Sequence, residues 1–347
     1  MAVIAFVHGS SAPIVMQDLR IFSHLAPTID VRCATGFRMT EALVLIRSIK
    51  NSKVVIVWFA EGGRTTVLSF LIAKILGRKF ITMVAGSEVS KDIRNRGFGI
   101  RAKIRFGLTK IILNGSDCVL CLSEFSLNET LMLASPKSSY VVSPAIDTEK
   151  YNHLEKSKSA FILSATIARS PHHLIRKGID RFLCVASLAP YRQFVIGGAP
   201  ASRMHDLWGD RTGRGSIQVI RDFFSANVHK NVQVKELSAL DLLHAYQHAR
   251  FYCQLSRHEG FGMSVAEAMA CKCVPVVSDA GALPEVVGDT GFVVHDGDPM
   301  KTAKLIDEFW DDYPRLGRLA RDRITKHFSV AKRTSQLRRI LLELGTI

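Results

Sequence analysis

The chain is expected to fold as an α/β protein with two parallel-sheet domains, and three observations predict it. Short β-branched runs alternate with longer stretches of good helix formers, as in Val54 to Phe59, Thr66 to Leu76 and Phe80 to Val84; that alternation is the β-α-β signature. At 347 residues the chain can bury a core in each of two domains. Two strand-like runs also end in glycine turns, at Gly9 and at Gly260-Phe261-Gly262. Open parallel sheets take their ligands at such strand ends.

Taken in order, Ala2 to Val7 is a continuous apolar run and the expected first strand. The turn His8-Gly9-Ser10-Ser11 follows; glycine lets a ligand approach the backbone, so Gly9 and Ser10 are candidate ligand contacts. Met16 to Leu25 is an expected helix. Ile100 to Leu113 is another, with Ile100, Ile104, Leu108 and Ile111 on one side and Arg101, Lys103 and Arg105 on others. Cys118 to Leu122 is a strand, Ser123 to Ser126 caps the next helix, and Tyr140 to Ser143 is a further strand.

The polar stretch Asn152 to Ser159 is the expected linker. It separates an N-terminal domain, residues 1–151, from a second domain, 160–325. The second domain begins with the strand Ala160 to Ala165, a loop from Thr166 to Arg176, and Lys177-Gly178. The strand Arg192 to Gly197 closes on Gly198, and Val232 to Val234 and Phe251 to Leu255 follow. Residues 326–347 form a terminal helix with Leu337, Ile340 and Leu341 on its apolar side.

One stretch, Ser256 to Val287, is the most informative. The glycines Gly260 and Gly262 feed the helix formers Met263 to Ala270, and the β-branched run Val274 to Ser278 comes next. A glycine loop entering a helix leaves backbone amides unpaired at the positive end of the dipole, a place for phosphate. Glu259 stands at the mouth of that helix and Glu267 about one turn inside it. Carboxylates suit pairs of neighbouring hydroxyls, so the pattern describes a sugar nucleotide.

These residues carry a resemblance. Glu259 followed by GFG, with AEAMA around Glu267 and Gly281 to Glu285 beyond, resembles the signature of the retaining GT-B glycosyltransferases of family 4. The resemblance implies two Rossmann-like domains facing a cleft, the terminal helix crossing back to the first. It implies transfer of a hexosyl group from a nucleotide-diphosphate sugar to an acceptor hydroxyl with retention, and no cofactor or required metal. The donor would be held by Gly9, Ser10, Arg169, Lys177, Gly198, Glu259, Gly260, Phe261, Gly262, Met263, Ser264 and Glu267. Lys177, Arg169 and Glu259 would be catalytic, the two cations holding the departing diphosphate, with Arg176 competing for the place of Arg169. Three features depart from the family. Ala85-Gly86-Ser87-Glu88 stands where the family has His-Gly-x-Asp; Lys272 replaces a glycine at a helix end; and the first domain is short.

Composition sets the remaining expectations. At 47% hydrophobic and 22% charged the chain is ordinary for a globular protein. No apolar run reaches the ~20 residues of a membrane span, and the N-terminus lacks the basic start of a signal peptide. Seven scattered cysteines fit buried thiols in a reducing cytoplasm. His172-His173 lacks the nearby carboxylates of a metal site. The net charge is +15, and 13 of those charges fall in two segments, Lys91 to Lys110 and Arg315 to the end. That clustering implies an anionic partner. The expected partners are the donor, a cell-envelope or lipid-linked glycan acceptor and an anionic membrane surface, with the protein peripheral on its inner face. Nucleic acid is not expected, because aromatics are 8% and do not interleave with the basic residues. The competing readings are an epimerase or phosphorylase of the same fold, a basic nucleic-acid binder and a non-catalytic subunit.

Overall fold

The computed structural model describes residues 2–33, 39–59, 63–90, 100–152, 158–166, 171–198 and 230–347. It divides into two units, Met1–Ala145 with Val330–Ile347, and Ile146–Ser329. Each is built on one six-stranded parallel sheet.

The first unit runs β1 (Ile4–His8), α1 (Pro13–Leu25), β2 (Thr28–Arg32), α2 (Met39–Lys50), β3 (Val54–Trp58) and α3 (Arg64–Ile75). It continues with β4 (Lys79–Val84), α4 (Ile100–Gly115), β5 (Cys118–Cys121), α5 (Glu124–Leu133) and β6 (Ser139–Val141). The strand order is β2-β1-β3-β4-β5-β6. β1 and β3 are wholly buried, which is why they read as unbroken apolar runs: both faces of the sheet are covered. Ile4 and Phe6 point to one face, where α1 supplies Val15 and Phe22. Ala5 and Val7 point to the other, where Leu45 and Ile49 of α2, Ala73 of α3 and Ile112 of α4 pack. The same period places Cys118 on the first face and Cys121 on the second. All seven cysteines are free thiols.

The second unit runs β7 (Ser159–Ala165), α6 (Pro171–Arg176), α7 (Ile179–Leu188), β8 (Gln193–Gly197), β9 (Val232–Lys235), α8 (Ala239–His248), β10 (Ala249–Gln254) and α9 (Met263–Ala270). It ends with β11 (Val274–Ser278), α10 (Leu283–Val287), β12 (Phe292–Val294), α11 (Pro299–Glu308) and α12 (Tyr313–His327). The order β12-β11-β10-β7-β8-β9 puts β10 and β7 at the centre. α13 (Val330–Glu343) then belongs to the first unit, where Leu337, Ile340 and Leu341 join α1 on the first face.

α13 is tied in by a buried ion pair. Arg333 Nε and Nη2 each donate to an Asp18 carboxylate oxygen at 2.7 Å. The remaining nitrogen donates to the carbonyls of Val142 and Ser143 at 2.6 and 2.7 Å, and Trp58 Nε1 donates to Asp18 at 2.8 Å. Every charge in this buried group therefore has hydrogen-bond partners.

Two expectations change. The change of unit falls at Ala145 and Ile146, not in the polar stretch 152–159. The reason is that Ile146 is buried and its amide bonds to Phe328 O, while Arg321 holds the carbonyls of Thr148 and Tyr151. The expected loop from Thr166 to Arg176 contains α6, whose Leu174 is in the core. On α4, Ile104 and Ile111 of the apolar side are exposed, and Thr109, Ile112 and Leu113 are buried. Within the first unit, α13 and α4 cover opposite faces of one sheet. Residues 91–99 of the first basic cluster lie outside the described residues.

Lys272 follows α9 with φ at 62°, the left-handed cap that the sequence anticipates. Burial lowers the pKa of its ammonium, with Arg321 and Arg318 adding to the effect. Lys272→Gly should therefore stabilise the protein by about 1 kcal/mol, read as a rise in the denaturation midpoint.

Candidate functional site

The site is assembled at the C-terminal end of β10, the strand flanked by β7 and β11. From there the chain passes through Arg257, His258, Glu259 and Gly260 and enters α9 at its cap, Gly262. The first intrahelical bond is Ala266 N to Gly262 O at 3.1 Å. The amides of Met263, Ser264 and Val265 precede it, and Gly262 offers no side-chain cap. Partial positive charge is therefore concentrated at this helix end.

Lys177 reaches the site through a tight turn. Gly178 has φ at 73°, and a Cβ there would lie 2.0 Å from Leu255 O, so only glycine lets the turn rest on the end of β10. Arg257 bridges the same gap, donating to both carboxylate oxygens of Asp180 at 2.8 and 2.6 Å, while its amide bonds to Arg176 O at 2.8 Å. The result is an ion pair, Lys177 Nζ to Glu259 Oε2 at 2.7 Å. Gln254 Nε2 donates to the same carboxylate at 2.6 Å. Burial works to raise the Glu259 pKa; Lys177 outweighs it, with Arg176 and His258 adding, and holds the carboxyl below its ordinary value. Behind it Gly281, at φ 62°, sits where a Cβ would meet Glu259 O at 2.0 Å, and Ala282 N donates to that oxygen. The glycine of the Gly281 to Glu285 motif thus fixes the backbone of Glu259.

Glu267, on α9, has a different environment. Tyr246 donates to it at 3.4 Å, and Tyr151 also hydrogen-bonds it. Burial pushes its pKa up to about 7, with the two tyrosines and Lys150 opposing. Two carboxyl groups of one type are thus set apart, Glu259 ionised beside a cation and Glu267 poised near neutrality.

Of the expected residues, Lys177, Glu259, Gly260, Gly262, Met263, Ser264 and Glu267 fall on this loop-helix junction or touch it. Gly198 closes β8, its amide bonded to Lys235 O, and lies against Thr166 O at the end of β7. Arg176 is close enough for its charge to act on Glu259, whereas Arg169 lies outside the described residues. Phe261 is buried and packs on Phe328, so its ring belongs to the core and only its backbone faces the loop. The Ser264 hydroxyl hydrogen-bonds Tyr246 and Tyr252. Gly9 and Ser10 are in the first unit, at the end of β1, where His8 Nδ1 meets Ser10 O at 2.7 Å and Nε2 meets Asp30 at 2.8 Å. Where the family histidine is missing, Glu88 folds back and accepts from Ala85 N at 2.8 Å, closing its own turn.

Sequence reasoning missed Gln254, the Arg257–Asp180 bridge and the two tyrosines. Arg257 lies inside the stretch from Ser256 to Val287 and Asp180 two residues after Lys177-Gly178, so their opposite charges were a usable signal. Tyr151 and Tyr246 are far apart in the chain and gave none. No group of three or more metal-ligating side chains is gathered among the described residues, His172 and His173 included. A cavity of about 600 Å³ lies elsewhere in the second unit, lined by Gln193, Gln233, Lys235, His244 and His248 among others. It shares no residue with the loop-helix junction, which is distinguished by its chemistry and not by enclosed volume.

A helix N-terminus, a cation and two carboxyl groups are thus gathered at one strand end of a fold made of two parallel-sheet units, the GT-B architecture. Residues 155–326 match the family described as glycosyl transferases group 1. The O-antigen chain mannosyltransferase B of Escherichia coli is 40% identical over 73 residues, 21% of this chain and 19% of that protein. One subunit of the phosphatidylinositol N-acetylglucosaminyltransferase of Arabidopsis thaliana is 26% identical over 228 residues, 63% of this chain and 48% of that protein. The chain thus spans between about a fifth and about a half of these curated relatives. The crystal structure of Anabaena HepE in complex with UDP and glucose superposes with a TM-score of 0.75 at 15% identity, covering 98% of this chain and 99% of that one.

Proposed function

We propose that the chain is a retaining glycosyltransferase that moves a hexosyl group from a nucleotide-diphosphate sugar to an acceptor hydroxyl. The observation that carries this reading is the Lys177–Glu259 pair beside the uncapped start of α9, with Glu267 a turn beyond. In the bound complex the diphosphate lies at the helix end and takes the Lys177 ammonium. Glu259, released from that pair, accepts from sugar hydroxyls, and Glu267 accepts from the ribose. As the bond from the anomeric carbon to the diphosphate breaks, negative charge grows on the leaving group, and Lys177 and the α9 amides meet it. Arg169 or Arg176 supplies a second cation.

The family match and the mannosyl and N-acetylglucosaminyl relatives support the reaction class and a hexose donor. The same names support a cell-envelope or lipid-linked glycan as acceptor. Free thiols throughout support a cytoplasmic setting.

A thermal-shift screen of UDP-, GDP- and ADP-sugars tests the proposal. One nucleotide class should raise Tm, and in the turnover assay with that donor Lys177→Ala should lower kcat by on the order of 10²–10³. If no nucleotide sugar shifts Tm, the reading fails. Release of free sugar or a sugar phosphate without an acceptor would assign different chemistry to the same site.

A further inference from the structure

Gln254 is the last residue of β10 and lies on the same face of the sheet as Tyr252. It is only 4% exposed, so its amide has to find partners inside the protein. Its two ends are not interchangeable. Nε2 donates to Glu259 Oε2 at 2.6 Å. Oε1 lies 3.3 Å from the Tyr252 hydroxyl, which itself receives the Ala165 amide at 3.3 Å. Donors therefore run one way, from the end of β7 through Tyr252 and Gln254 to Glu259. An amide turned over would set its oxygen against a carboxylate.

The two oxygens of Glu259 are used unequally. Oε2 accepts from Lys177 at 2.7 Å and from Gln254, with the Ser256 hydroxyl at 3.5 Å, too far for a strong bond. Among the described residues nothing donates to Oε1. Lys177 is a flexible side chain at a turn, and a diphosphate at the start of α9 would draw it away. The carboxylate would then lose its cation while still largely enclosed, its side chain being 13% exposed. Gln254 is not drawn away with it. It is neutral, and its backbone belongs to a strand paired on both sides, with β7 and with β11.

We propose that Gln254 is a positioning residue for Glu259: with Lys177 turned to the diphosphate, its amide holds Oε2 and leaves Oε1 to accept from a hydroxyl of the donor sugar. The inference rests on the transfer reading and adds to it which carboxylate oxygen meets the sugar and which side chain fixes it. Gln254 acts through Glu259 alone. Its effect is therefore confined to ligands that carry the sugar; a nucleoside diphosphate, which has no such hydroxyl, is insensitive to it.

Calorimetry of the full chain with three matched pairs of ligands tests the proposal: UDP and UDP-glucose, GDP and GDP-mannose, ADP and ADP-glucose. For the pair that binds, Gln254→Met keeps the side-chain length and removes the donor. It should weaken the nucleotide sugar by about tenfold and leave the diphosphate within about twofold. Tyr252→Phe removes the hydroxyl that orients the amide and should act in the same direction, by about threefold. A merely structural role would lower both affinities together, along with the melting temperature. Melting curves check folding; if the methionine variant misfolds, the phenylalanine variant carries the test. Equal losses for sugar and diphosphate, or no loss in either variant, overturn the proposal and leave the transfer reading standing. If none of the six ligands binds the natural chain, the transfer reading fails and this inference falls with it.

Discussion

Glu267→Gln is expected to weaken nucleotide binding and stabilise the unliganded protein at once, near pH 8. The carboxyl ionises near 4.5 when unfolded and near 7 in place. The folded state therefore holds this proton more tightly. Its contribution to stability is fully present below the unfolded value and is lost as pH rises through about 7. Near pH 8 the fold carries a mostly buried carboxylate, and a neutral amide removes a cost on the order of 2 kcal/mol. Ribose hydroxyls donate best to the ionised form, so the same substitution should cost about ten- to a hundredfold in nucleotide affinity. In the natural protein, affinity should rise between about pH 6 and 8, and binding should release a proton. Calorimetry in two buffers of different ionisation enthalpy, with denaturation below and above neutrality, measures both. Unchanged affinity in the variant, or no proton release, removes Glu267 from the ribose.

Asp18→Ala should be the most damaging single change in the first unit, by about 3–5 kcal/mol. It strips the buried Arg333 guanidinium of its only carboxylate among the described residues and leaves the Trp58 indole N–H without its acceptor. The loss should appear as early melting, with amide exchange accelerated in α13. The paired change Asp18→Leu/Arg333→Met should recover most of it, because two apolar side chains leave no uncompensated charge. If the double variant is as unstable as the single one, the pair is not what anchors α13.

Much of the second unit was legible because its chemistry is local. Glu259, Gly260, Gly262 and Glu267 fall within nine residues, and a helix end carries its own electrostatics wherever it is placed. Strands such as Val54–Trp58 were legible because burial on both faces demands unbroken apolar runs. β2 and α2 were not placed. β2 alternates partly exposed positions at the sheet edge, and α2 turns leucine and valine outward, which blurs the usual periodicity. On α4 the direction was likewise not readable: Ile104 and Ile111 form an apolar stripe that faces out.

The sequence by itself determined the two parallel sheets, the loop-helix junction and the free thiols, since each depends on neighbours a few positions apart. Only the tertiary structure decided that Lys177 pairs with Glu259, that Tyr151 and Tyr246 hold Glu267, and that Arg333 closes on Asp18. Those partners are separated by tens to hundreds of positions. Their ionisation and their stability depend on burial and direct contact, which chain order alone does not encode.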